Sequence, residues 1–70
     1  MNVNQKDRGY RIRLRHRPDW IQVERYNDGR TGYCFNLSVQ HATAFSTEQE
    51  AAEFARAIPA DLIVVRGGAL

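Results

Sequence analysis

Between Gly9 and Pro18 the chain alternates without a break, with Tyr10, Ile12, Leu14 and His16 on one parity and Arg11, Arg13, Arg15 and Arg17 on the other. A side-chain period of two belongs to a strand with one wet face, so this stretch predicts a first strand running to Arg17. Pro18 has no N–H for a ladder and Pro-Asp suits a turn, so the chain reverses there. The run WIQVERY (20–26) sets Ile21 and Val23 against Trp20, Gln22, Glu24 and Tyr26 and predicts a second strand. Asn27, Asp28 and Gly29 tolerate positive φ and predict a hairpin into a third strand. In YCFNLSVQ (33–40), Tyr33, Phe35, Leu37 and Val39 form the core-facing set, and Cys34, Asn36, Ser38 and Gln40 the wet one.

The segment HATAF (41–45) reads either as a short fourth strand or as the lead into a helix. Thr47 with Glu50 fits a capping box, and Glu48 and Glu50 suit the positive end of a helix dipole. Ala51, Phe54, Ala55 and Ile58 then share one helical face, with Glu53 and Arg56 turned away and Pro59 as the stop. ADLIVVR is too short and too β-branched for a helix and predicts a last strand, Leu62 to Arg66, ended by Gly67 and Gly68. The expected fold is α+β: an antiparallel meander of three to four strands, one helix on one face and a final C-terminal strand, in the order β-β-β-(β)-α-β. Residues 1–8 are polar and aperiodic and read as a flexible N-terminal arm before a single domain over 9–70.

Seventy residues leave room for one core, and domains of this size bury only about 60% of the surface their unfolded chain exposes. A homodimer, with the last strand pairing across a two-fold axis, is one expected remedy. Cys34 is the sole cysteine, so no intramolecular disulfide forms, and a lone thiol suits a reducing compartment. No apolar run approaches the roughly 20 residues of a membrane span, and MNVNQKDRG lacks a signal-peptide core. The expectation is a soluble, cytoplasmic protein.

Metal and catalytic chemistry find little footing. Cys34, His16 and His41 lack metal-ligand spacing, so no metal is expected. Cys34 and His41 could pair as nucleophile and base only if a third group oriented the imidazole, and none is marked. No glycine loop precedes a helix to cradle phosphate. No cofactor, no small-molecule substrate and no enzymatic activity are expected.

Charge is informative. Residues 1–35 hold eight basic and four acidic side chains, and residues 36–70 hold two and four. With the apolar parities turned to the helix, the outward sheet face carries Arg11, Arg13, Arg15 and Arg17, then Trp20, Gln22, Glu24 and Tyr26, then Asn36, Ser38 and Gln40, with Arg30 in the hairpin. Arginine suits guanine edges and phosphate, Asn and Gln suit adenine, and Trp or Tyr stack. Outward arginines are also ordinary cover for a half-exposed strand. Four in succession with no interleaved acid repel one another, however, and that cost implies a partner carrying negative charge. Trp20 adds a binding anchor if it points out; a bulge after Pro18 would turn it into the core. The expected function is a small binding module for nucleic acid or for an acidic protein surface.

The stretch from Trp20 to Ile58 resembles the arm-type DNA-binding domains of phage and transposon tyrosine recombinases. Those domains have a Trp-containing strand, a hairpin and an F-x-T-x-x-E-A approach to a helix, matched here by Phe45, Thr47, Glu50 and Ala51. The resemblance implies a sheet that reads the major groove with the helix behind it; the last strand departs from it. Ser46, Thr47, Glu48, Gln49, Phe54 and Pro59 also follow the order found in a small phage type I-F anti-CRISPR. That likeness implies instead an inhibitor that blocks a host protein complex.

Overall fold

The computed structural model describes residues 9–67. The arm expected over 1–8 and the strand-ending Gly68 lie outside them. Four antiparallel strands, β1 (Tyr10–Leu14), β2 (Trp20–Arg25), β3 (Thr31–Asn36) and β4 (Leu62–Arg66), form one sheet in the order β3-β2-β1-β4, with helix α1 (Glu48–Arg56) against one face. The fold is α+β, as the sequence predicts. β4 pairs with β1 along its whole length, so the first and last strands sit side by side and β3 and β4 are the edges. No helix among the described residues is long and apolar enough to cross a membrane.

Local chemistry explains where the elements begin and end. β1 stops at Leu14 rather than Arg17 because its backbone is drawn into the turn: the Leu14 N–H donates to Asp19 O at 3.0 Å and the Arg15 N–H to Asp61 O at 2.9 Å. In the hairpin, Tyr26 N–H donates to Arg30 O at 2.9 Å and Gly29 N–H to Tyr26 O at 3.0 Å. Gly29 has φ +88°, the left-handed residue of a three-residue hairpin loop. β3 starts earlier than expected, at Thr31, and ends at Asn36; Val39–His41 forms a single 3-10 turn lying against β2. Thr47 caps α1, its Oγ1 accepting from the Glu50 N–H at 3.1 Å.

β1 and β2 pair at Arg13 and Trp20 and then diverge. Residues 43–45 fill the opening. Thr43 donates its N–H to Ile21 O at 3.0 Å and accepts the Val23 N–H on Oγ1 at 2.8 Å. Phe45 and Tyr10 exchange backbone bonds at 2.7 and 2.9 Å. Residues 43–45 of HATAF are therefore a strand-like wedge and the lead into the helix at once, while His41 closes the 3-10 turn. The wedge also fixes Gly9: a Cβ there would lie 2.9 Å from the Phe45 carbonyl oxygen, at a φ of +75°.

α1 lies over β1 and β4. Ile12, Ile21, Ala51 and Ile58 form the core between helix and sheet, with Val23, Phe45, Phe54, Leu62 and Val64 around them. Phe45 and Phe54 rings meet at 5.5 Å. The apolar parity of β3 departs from expectation: Tyr33, Phe35 and Leu37 are 39, 41 and 73% exposed rather than buried in the core. The cause is width. A helix is about 10 Å across and strands lie about 4.8 Å apart, so one helix covers two strands of this sheet and leaves the β3 side open.

Candidate interaction surface on the third strand

The nine residues that the sequence nominates for partner binding do not form one exposed basic face. Arg11 and Arg13 share a face of the sheet with Trp20, through the Arg13–Trp20 pairing, but Arg11 is 7% exposed and Trp20 only 1%. Trp20 is the largest fully buried side chain, on the face away from α1, so it serves as core and not as an exposed anchor. Arg13 is half-buried and folds back on its own chain, Nη1 donating to Leu14 O at 2.8 Å.

Arg15 and Arg17 leave the strand and meet acids that the linear alternation does not reveal. Arg15 Nε lies 2.9 Å from Asp61 Oδ1, with His16 Nε2 3.8 Å from the other oxygen, and Arg17 Nε lies 3.1 Å from Asp19. Arg30 pairs with Asp28 at 2.6 Å. The unrelieved repulsion inferred for the arginine row is thus corrected: turns bring carboxylates to its second half. Gln22 and Asn36 bond to each other, Asn36 Nδ2 donating to Gln22 Oε1 at 3.3 Å. Tyr26 is exposed, its hydroxyl donating to Glu24 at 3.3 Å with the Arg30 guanidinium 5.8 Å from its ring centre. The Glu24 charge beside the phenol, with smaller desolvation and hydrogen-bond contributions, holds its pKa above the ordinary tyrosine value.

The surface the sequence did not nominate is β3. Bonding between Tyr26 and Arg30 sets the phase of the β2–β3 ladder, because hydrogen-bonded pairs alternate along antiparallel strands. Glu24–Gly32, Gln22–Cys34 and Trp20–Asn36 are then the bonded pairs. The bonds of Ile21 O and Val23 N–H to Thr43, on the other side of β2, agree with that phase. The N–H and C=O groups of Thr31, Tyr33 and Phe35 consequently point away from β2 along the open edge. No hydrogen bond from another described residue reaches them outside the ladder.

Thr31–Asn36 contains no charged residue and no proline, the devices that usually guard a sheet edge. On the helix side of this edge, Tyr33 and Phe35 meet edge-to-face at 5.9 Å. Beside Tyr33 runs a groove of about 620 Å³ floored by Phe45, Phe54 and Ile58 and rimmed by Glu50 and Glu53. The missed signal was the count of helices: one nine-residue helix against four strands leaves part of an apolar face uncovered. Among the described residues no group of three His, Cys, Asp or Glu side chains could hold a metal ion.

Comparison of the chain with protein-family models, with curated proteins and with solved structures finds no match, so the recombinase-arm and anti-CRISPR likenesses rest on their short motifs alone.

Proposed function

We propose that this chain is a non-catalytic protein-binding module that takes up an extended polypeptide segment by strand addition along β3. The observation that carries this reading is the coincidence, on one strand, of an open uncharged edge with two exposed aromatic side chains beside an apolar groove. In strand addition, backbone bonds give affinity and pockets for alternate side chains give specificity, and the edge and groove supply one each. An inhibitor or adaptor that blocks a protein complex fits this arrangement.

Nucleic acid draws less support from the same geometry. Arg11 and Trp20 are buried, and Arg15, Arg17 and Arg30 each lie beside a carboxylate, so phosphate would have to displace an existing partner. Photo-crosslinking amino acids placed at Tyr33 and at Arg17 in the full chain, expressed in living cells, separate the two. Strand addition predicts protein adducts from position 33, lost when Phe35→Lys is added. Adducts to nucleic acid from position 17, with none from position 33, would overturn it in favour of the basic turn.

A further inference from the structure

Resting on that reading of β3 as the docking edge, we infer that the strand it accepts is β3 of a second copy, giving a two-fold dimer with a continuous eight-stranded sheet. Backbone phase permits it. The outward groups belong to Thr31, Tyr33 and Phe35, so an antiparallel copy can bond Tyr33 to Phe35 of the second copy and Phe35 to Tyr33 of the second copy. The axis then passes between the two Cys34 residues, close to the middle of the strand.

Side chains favour the same register. Tyr33 and Phe35 stand on the helix side of the sheet, opposite Val23 and Ile21, and are half-exposed. The register sets each ring opposite an aromatic ring of the other copy, twice over, and aromatic cross-strand pairs are among the stabilising ones. Along the strand itself charge raises no objection. The strand is neutral from Thr31 to Asn36, so no like charges meet across the axis, and Arg30 falls opposite Ser38. A perpendicular two-fold puts both α1 helices on one face, with the four rings on the floor between them. Among the described residues the fully or nearly buried apolar core of one copy is Ile12, Trp20, Ile21, Ala51 and Ile58, which leaves a small domain with reason to bury more.

The axis makes a geometric demand that can be tested. Cys34 and its counterpart form a non-bonded pair, whose Cα atoms lie about 4.5 Å apart, within the range a disulfide spans. Their thiols share the face away from α1, where Cys34 Sγ now sits 3.9 Å from Gln22 Oε1.

The test uses the purified full chain. Sedimentation velocity over rising concentration should show a monomer–dimer equilibrium with Kd in roughly the micromolar range, as befits a contact at the small end of specific interfaces. Phe35→Lys, whose fold is checked by circular dichroism, should weaken it by at least about tenfold through loss of two aromatic pairs. Diamide should link wild-type chains through Cys34, and the linked fraction should fall in the Phe35→Lys protein, which keeps the thiol. The Cys34→Ala/Asn36→Cys protein should link poorly, because residue 36 lies opposite residue 32. A chain that stays monomeric at every concentration overturns the inference. So does a dimer linked as readily through position 36, or one linked through Val65→Cys on β4 and not through Cys34. If the chain is monomeric while position 33 still crosslinks to a different protein, strand addition stands and the second copy falls.

Discussion

Trp20 shows what a single position in an alternating run can and cannot disclose. Parity assigns it to the face that carries Arg13, Gln22 and Asn36, and the register confirms that side. Its burial is another matter, since 1% exposure depends on what lies over that face and not on the strand's own period. Deleting a fully buried indole removes its apolar transfer energy and leaves a cavity, together about 3–5 kcal/mol. That is a large share of the roughly 5–15 kcal/mol of a typical domain. Trp20→Ala should therefore be largely unfolded or show a far lower urea midpoint, whereas Tyr26→Ala, an exposed aromatic, should stay within about 0.5 kcal/mol of wild type. Equal midpoints for the two variants would mean that Trp20 is not core. The arginines follow the same logic: their parity was legible, but Asp61, 46 residues from Arg15, is brought to it only by the β1–β4 pairing.

At the level of elements, what local chemistry decides was legible and what distant pairing decides was not. The Thr47 cap, the Asn-Asp-Gly turn and the β-branched run Leu62–Arg66 are written within a few residues each, and each stands where the sequence puts it. The wedge at Thr43–Phe45 is different. It exists because β1 and β2 diverge, and nothing within HATAF encodes that divergence. Its anchor is testable: Thr43→Val keeps the shape but strips the acceptor from the Val23 N–H, leaving a half-buried donor unpaired at a cost of about 1–3 kcal/mol. Denaturant midpoints should place Thr43→Val well below wild type and Thr43→Ser, which keeps the hydroxyl, between them. A Thr43→Val midpoint at or above wild type would show that the bond does not hold the wedge.

For the molecule as a whole, the governing quantity is the ratio of cover to sheet. The hydrophobic pattern identified the fold class and the inward parity of each strand, but it treated every inward residue as core. One short helix seated over β1 and β4 cannot reach β3, so Tyr33 and Phe35 face inward and remain exposed. The basic face read from composition is cut down by burial and by loop carboxylates, while the uncharged edge gains weight. The central claim is that β3 is an open edge awaiting a strand, and amide hydrogen exchange reads that edge residue by residue. At high dilution the N–H groups of Gly32, Cys34 and Asn36 should exchange slowly and those of Thr31, Tyr33 and Phe35 fast, with Tyr33 and Phe35 becoming protected as concentration rises. Slow exchange at Thr31, Tyr33 and Phe35 in the dilute monomer would contradict it, since the edge would then be closed within the chain itself.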